Sequence, residues 1–213
     1  MIAALNREIK IAPSSTAIVA IDMHRGHLDM SVATMPTTPE DAERVIGNAQ
    51  KLLGYARSLS VSIIHVKLVM RRLHKGGSET NNVPFWQALQ KVRNEYDRLT
   101  PGRRSSVNEH NLEGSPGTEI IPALVEESDY IIDNKKRLDC FMGTDLDILL
   151  HSLGVRTVCL MASTPTPAYS RQRSLPSTST MRWWFCQTAL PACTGTISMS
   201  LVCRTSPAAS VGC

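Results

Sequence analysis

The C-terminal quarter of this chain lacks residue types that the rest of the chain uses freely. Between residues 162 and 213 there is no Asp, no Glu and no Lys, while Ser and Thr account for 17 of the 52 residues. A segment of this composition shows no periodic apolar pattern from which packed elements could be predicted. We therefore divide the chain into a globular domain, residues 1–161, and an aberrant tail, residues 162–213, which we expect to be disordered or poorly packed.

The chain also lacks the charge excess and the long apolar runs that would indicate a polyanion or a membrane as partner. Residues 1–161 carry 19 basic and 19 acidic residues, so the four arginines of the tail supply the whole formal charge of +4. We expect no nucleic-acid partner, no membrane association and no secretory leader. Before the tail the only cysteines are Cys140 and Cys159, both in apolar sequence, and the tail has no C-x-x-C spacing. This usage predicts a reduced, cytoplasmic location.

Short apolar runs alternate with helical periods along residues 16–161. This alternation predicts an α/β domain of three layers, in which helices cover both faces of a parallel sheet. No G-x-G-x-x-G follows the first strand, which argues against a nucleotide-binding domain of the doubly wound type. The predicted strands are Thr16–Asp22, Val61–Leu68, Asp129–Asp133 and Arg156–Met161, and the predicted helices are Glu40–Ser58, Pro84–Arg98, Thr118–Glu126 and Asp145–Leu153.

After the fourth strand the pattern dissolves. The apolar triplet Trp183–Phe185 could form a strand, but nothing around it in the sequence supports that assignment. We therefore expect the last part of the sheet to be lost or scrambled. The open side of the fourth strand would then be an aggregation liability.

Two charged residues stand where parallel strands are predicted to end. Asp22 closes the first strand, and Lys135 follows the third. In open parallel sheets, ligands bind at the carboxyl ends of the strands, so both side chains are candidates for a site. Each also has a plainer interpretation, because a single acid at a strand end often caps a loop and a Lys-Lys-Arg run is often a solvated edge.

Three segments together resemble the isochorismatase-like cysteine hydrolases, a family that includes nicotinamidases, N-carbamoylsarcosine amidohydrolases and ureidoacrylate amidohydrolases. The segments are residues 17–29 (AIVAIDMHRGHLD), residues 110–119 (HNLEGSPGTE) and residues 135–161, which begin KKRLDCFMGTDL. The resemblance covers roughly residues 14–161. It implies a three-layer α/β fold, a small-molecule substrate, no required cofactor and, for an intact member, a homo-oligomer.

The resemblance also implies roles for individual residues. Asp22 matches the family's catalytic acid and Lys135 its lysine, with Lys136 ranked second. His24, Arg25 and His27 become pocket candidates, although surface or capping roles fit them equally well. Some family members bind a metal through an Asp-x-His placed after the second strand; the segment that follows His65 contains none, so we predict no metal.

The nucleophilic cysteine of the family is missing from its expected place. The family's fourth strand leads into a turn of the type Gly-x-x-Thr-x-x-Cys, and the corresponding position here is Ala168. If the reading frame slips by one base after Met161, residues 162–168 can read Gly-Ile-Asn-Thr-Asn-Thr-Cys, which places a thiol at that position. In the same frame Trp184 and Phe185 each become Val, within a continuous apolar run. We therefore interpret the tail as frameshifted.

Two functions follow from these observations. The first is a cysteine hydrolase that cleaves a C–N bond of a small amide, ureido or carbamoyl compound, with the polypeptide as written inactive for want of its nucleophile. The second is a pseudoenzyme that binds a small ligand or a partner through the same cleft without turnover.

Overall fold

A computed structural model describes residues 11–74, 76, 78–79, 83–99, 105–163, 182–186 and 199–200. A single sheet of order β3-β2-β1-β4-β5-β6 organises these residues. The strands are β1 (Thr16–Ile21), β2 (Ser62–Leu68), β3 (Tyr130–Lys135), β4 (Thr157–Ala162), β5 (Arg182–Cys186) and β6 (Met199–Ser200). The helices are α1 (Arg25–Leu28), α2 (Pro39–Ser58), α3 (Pro84–Leu99) and α4 (Leu146–Ser152), with 3₁₀ turns at Pro13–Ser15, Pro116–Thr118 and Pro122–Leu124.

Strand β1 lies at the centre of the sheet and divides the core into two layers. It pairs in parallel with β2 on one side and β4 on the other, and all six of its residues are buried. Because alternate side chains of a strand point to opposite faces, Ile18 and Ala20 pack in the core on one face, while Ala17, Val19 and Ile21 pack in the core on the other. The three-layer α/β fold is thereby confirmed.

Helix α2 covers the first of these faces. Pro39 begins the helix, and the hydroxyl of its N-cap, Thr38, accepts a hydrogen bond from the Asp41 N–H at 3.2 Å. The helix ends at Ser58, and its bounds agree with the predicted helix, Glu40–Ser58, to within one residue. The stripe that it buries against the sheet consists of Ala42, Val45, Ala49, Leu53 and Ala56. Helix α4 covers the opposite face with Leu146 and Leu150.

The helix predicted over Thr118–Glu126 is wrong. The segment instead forms two short 3₁₀ turns, Pro116–Thr118 and Pro122–Leu124. Pro122 explains the difference, because a proline inside a helix lacks the N–H for the helical hydrogen bond and its ring clashes with the preceding turn. Leu124 remains buried and packs in the same core as helix α2.

The sheet continues past β4, where we expected it to be lost or scrambled. Strand β5 pairs in parallel with β4, from Thr157 opposite Arg182 to Leu160 opposite Phe185, and β6 adds an antiparallel pair. A strand beside β4 satisfies the backbone groups of its open edge, and the aromatic residues of β5 favour extended structure. Among the described residues, no helix is both long enough and apolar enough to cross a bilayer.

Candidate active site

Asp22 stands directly after β1 with an unusual backbone conformation. Its φ of 55° lies in the left-handed region that most side chains avoid. Two hydrogen bonds to β2 hold it there: its N–H donates to the Val66 carbonyl at 2.9 Å, and its Oδ1 accepts the Leu68 N–H at 3.0 Å. A strained residue that neighbouring strands hold in place is typical of functional sites.

Lys135, the last residue of β3, directs its ammonium group at this carboxylate. Its Nζ lies 2.5 Å from Asp22 Oδ2, and its side chain is fully buried, whereas that of Asp22 is 16% exposed. A lysine with no access to water requires an opposite charge, and Asp22 supplies it. Lys136 instead donates to the Val69 carbonyl. Of the two lysines, Lys135 is therefore the one in contact with Asp22.

The three pocket candidates that follow Asp22 have different surroundings in the structure. His24 is fully buried, and its Nε2 lies 3.8 Å from Asp22 Oδ1. Arg25 turns away from the carboxylate: its guanidinium group pairs with Asp29 at 2.8 Å and with Glu119 at 2.6 Å. His27 is half-buried and stacks on His24, with 4.8 Å between ring centroids.

His110 and Asn111, from the segment 110–119 that carries part of the family resemblance, also lie at this site, although we assigned them no role from sequence. His110 packs against His27 with ring centroids 4.5 Å apart, and the Asn111 side-chain amide lies 2.5 Å from His24 Nε2. Asn111 has a φ of 50°, a second left-handed residue at the site. The sequence signal that could have identified them as site residues is their position shortly before the Gly-Ser-Pro-Gly turn.

Burial governs the protonation of these histidines. It lowers the pKa of His24 and of His110 well below the ordinary value, and the positive charge of neighbouring groups lowers both further. Burial also lowers the pKa of His27, although its hydrogen bond to Met35 acts in the opposite direction. All three imidazoles are therefore neutral near pH 7 and have one nitrogen lone pair each to offer.

The two cysteines whose side chains the structure describes, Cys140 and Cys159, are core residues. Cys159 lies within β4, and Cys140 is fully buried between β3 and helix α4. Burial raises the pKa of Cys140 to about 12, although the positive charge of Lys135 opposes the shift. A thiol with such a pKa stays protonated at neutral pH and is a poor nucleophile.

The place of the expected nucleophile, Ala168, lies outside the described residues. The last described residue before it, Ser163, is buried, and its N–H donates to the Ile21 carbonyl at 3.4 Å. The chain therefore leaves β4 next to the residue that precedes Asp22.

Comparisons with known proteins agree with this architecture. The family model of the isochorismatase domain matches residues 16–161. The ureidoacrylate amidohydrolase RutB of Acinetobacter baylyi is 25% identical over 158 residues, which are 70% of this chain and 60% of the relative. The chain thus spans about 60% of the length of this curated relative.

Solved structures share the fold at low sequence identity. A pyrazinamidase/nicotinamidase of Streptococcus mutans has a TM-score of 0.55 at 17% identity, with 83% of this chain and 87% of the other covered. An isochorismatase-like hydrolase of Alkaliphilus metalliredigens has a TM-score of 0.54 at 19% identity, with coverages of 82% and 83%. A cysteine hydrolase of Pseudomonas syringae pv. phaseolicola has a TM-score of 0.52 at 21% identity, with coverages of 74% and 63%. Since the domain model matches well over half of its residues, the chain belongs to the isochorismatase-like family of hydrolases.

Proposed function

We propose that the fold of this chain serves a cysteine hydrolase that cleaves a C–N bond of a small amide, ureido or carbamoyl compound. The observation that carries the proposal is the ion pair of Asp22 and Lys135, at the strand ends where parallel sheets bind ligands. The ureido substrate in the name of the Acinetobacter relative supports this class of compound.

In the proposed reaction Asp22 is the general base and Lys135 stabilises the charged site. The Asp22 carboxylate takes the proton of the cysteine thiol, and the thiolate sulfur attacks the substrate carbonyl carbon. Backbone N–H groups at the start of the following helix stabilise the resulting oxyanion. When the C–N bond breaks, the leaving nitrogen takes the proton from Asp22. The carboxylate then accepts a proton from water, which attacks the thioester, and the departing sulfur takes that proton back.

Lys135 contributes to this cycle through its positive charge. Its ammonium group, 2.5 Å from Asp22 Oδ2, balances the negative charge that passes between the thiolate and the carboxylate. Because Lys135 is fully buried, no water screens its charge from the carboxylate. Replacing Lys135 by an uncharged residue should therefore slow thiolate formation.

The polypeptide as written should not catalyse this reaction, because alanine occupies position 168. We attribute the loss to the reading-frame slip after Met161. The restored frame would supply the thiol and, by the family resemblance, a homo-oligomeric cytoplasmic enzyme that needs no cofactor.

The test compares the written chain with a chain whose frame is restored after Met161. Ammonia release from a panel of small primary amides, ureides and N-carbamoyl compounds is the readout. We expect turnover only from the restored chain, abolition by iodoacetamide, and a loss of at least about 100-fold in kcat in Asp22→Asn. Asp133→Asn, at an exposed position of β3, is the matched control and should retain activity. Full activity of the restored chain after thiol alkylation would rule out the cysteine mechanism.

The second candidate is a pseudoenzyme that binds a small ligand without turnover. Ala168 favours it for the written sequence, because the charged pair is kept while the nucleophile is absent. Saturable calorimetric binding of a panel compound to the written chain, weakened by Asp22→Asn and unaccompanied by ammonia release, would support it. Absence of binding across the panel would exclude it for these ligand classes.

A further inference from the structure

Three histidines converge beside the Asp22–Lys135 pair from two distant parts of the chain. His24 is the N-cap residue of helix α1, His27 lies within that helix, and His110 lies in the loop before the Pro116–Thr118 turn. One ring nitrogen from each lies within 4.8 Å of the corresponding nitrogens of the other two. We refer to His24, His27 and His110 as the histidine cluster. The sequence predicted no metal, since it contains no Asp-x-His after the second strand, and this cluster uses other residues.

Each histidine of the cluster has one ring nitrogen in contact with a neighbouring polar group. His27 Nδ1 lies 2.9 Å from the Met35 carbonyl, which can only accept, so Nδ1 carries the proton and Nε2 the lone pair. His110 Nδ1 lies 3.0 Å from the Thr34 hydroxyl. These two contacts come from adjacent residues of one loop, which orients both rings together.

His24 is held in the same way from the other side. Its Nε2 lies 2.5 Å from the Asn111 amide and 3.8 Å from Asp22 Oδ1. The contacting atom is the amide nitrogen, a donor, while the amide oxygen of Asn111 has no hydrogen-bond partner within the described part of the chain. Binding a metal through Nδ1 requires the amide to turn over, so that its oxygen accepts the Nε2 proton and Nδ1 keeps a lone pair. A ligand histidine whose second nitrogen is anchored by a carbonyl, a hydroxyl or a carboxylate is the usual pattern around protein-bound metals.

Two of the three nitrogens left over by these contacts lack partners. Among the described residues, His24 Nδ1 and His110 Nε2 are buried side-chain atoms without a hydrogen bond, and both side chains are at least 98% buried. Buried polar atoms are seldom left unsatisfied, and an unsatisfied one calls for a ligand or a bound water. Two such atoms within one histidine cluster indicate a common ligand.

We propose that the histidine cluster is a binding site for a divalent transition-metal ion, Zn²⁺ foremost, held by His24 Nδ1, His27 Nε2 and His110 Nε2. Imidazole nitrogen is a ligand that suits zinc and its neighbours, and three protein ligands leave one tetrahedral position open. Zn–N bonds of about 2.0–2.1 Å would require the rings to move inward from their present separation. His27 is half-buried, which leaves the metal a route from solvent.

The position of the site gives it a link to the Asp22 carboxylate. His24 would bind the metal through one nitrogen and face Asp22 with the other, so the two sites share one imidazole. The open coordination position would accept water or an oxygen or nitrogen atom of a small ligand. The site does not depend on the missing cysteine and is present in the written chain.

The test is a titration of the full-length written chain with Zn²⁺, and with Co²⁺ as a spectroscopic substitute. Because four cysteines of the tail could also bind zinc, the thiols are first alkylated with iodoacetamide. We expect one equivalent of metal to remain after dialysis, with a nitrogen-ligand Co²⁺ spectrum. The double variant H24Q/H110Q should lose at least about 100-fold in affinity. His151→Ala, at an exposed histidine of helix α4, should bind as the parent does.

A second variant protects the test against loss of folding. Thr34→Val removes only the hydroxyl that orients His110, and changes of this kind lower metal affinity by about 10–100-fold. Circular dichroism would verify that each variant is folded. Metal retained at the parent's affinity by folded H24Q/H110Q, or no metal bound by the alkylated parent chain, would overturn the proposal.

Discussion

Lys135 Nζ lies 2.5 Å from Asp22 Oδ2, although 113 residues separate the two in the chain. The contact depends on β2, which lies between β1 and β3 and hydrogen-bonds to both. Leu68 at the end of β2 donates its N–H to Asp22 and pairs in register with Lys135. Both charges are therefore placed by one strand, and removing either charge leaves the other poorly compensated.

Replacing Lys135 by methionine should destabilise the protein by about 3 kcal/mol, because the Asp22 carboxylate loses the partner that compensates its partial burial. Asp22→Asn should cost a similar amount, since it leaves a fully buried ammonium group unpaired. The double variant should be less destabilised than the sum of the two. Urea unfolding measures all three, with exposed Lys51→Met as control. Strict additivity would show that the two side chains are not energetically coupled.

Cys140 should resist alkylation in the folded protein. Its pKa is raised to about 12 by burial, so almost no thiolate is present at pH 8. Iodoacetamide treatment followed by peptide mass mapping should show Cys140 unmodified in buffer and modified in urea. Rapid labelling of Cys140 in the folded protein would show that it is accessible and ionisable, contrary to its place in the core.

Asp129 anchors a buried charged cluster at the other end of the sheet, and its loss should be costly at neutral pH. Its Oδ2 accepts hydrogen bonds from Arg57 at 2.5 Å and from His65 at 3.2 Å, and its side chain is 2% exposed. Asp129→Asn should lower the free energy of unfolding at pH 7 by about 3 kcal/mol. The exposed substitution Asp133→Asn should change it by less than about 0.5 kcal/mol.

The same cluster predicts how stability changes with pH. Burial raises the pKa of Asp129, but the hydrogen bonds that it accepts from Arg57 and its neighbours outweigh this effect and hold it below 3.8. Its contribution is thus present above pH 3.8 and is lost as the pH falls through the folded-state value. Burial lowers the pKa of His65 below 6.5, so the unfolded chain binds more protons below that pH. Stability should therefore begin to fall below pH 6.5, and the penalty of Asp129→Asn should shrink below pH 3.8.

Gly26 should tolerate no side chain. A Cβ atom at this position would lie 2.3 Å from Asn111 Oδ1 and 3.0 Å from the Gly117 carbonyl. Gly26→Ala should destabilise the protein by about 1–3 kcal/mol and displace Asn111 from His24. Gly54→Ala, at an exposed position inside helix α2 with nothing within 4 Å of the added carbon, should instead stabilise by about 0.5–1 kcal/mol. Thermal unfolding of both variants tests the contrast.

Local patterns in the sequence were enough for most of the longer regular elements. The apolar runs of β1, β2 and β4 and the apolar stripe of α2 predict their structures because strand and helix periods are written into neighbouring residues. Pro122 was also present in the sequence as a warning, but the apolar residues around it suggested a helix, which the proline ring does not allow. The strand at residues 182–186 could not be assigned from its own sequence, because its pairing depends on the edge that β4 presents.

The residues of the candidate site likewise fall into two groups, those that the sequence indicated and those that only the structure revealed. Sequence alone determined that this is an α/β chain, that Asp22 and Lys135 stand at strand ends, and that the written tail carries no cysteine at position 168. Only the tertiary structure turned Arg25 away toward Glu119 and brought His110 and Asn111 to His24, 87 residues from Asn111 along the chain. The reason is physical: hydrophobic periodicity is a local property of neighbouring residues, whereas contacts between distant loops are decided by how the sheet and its connections pack.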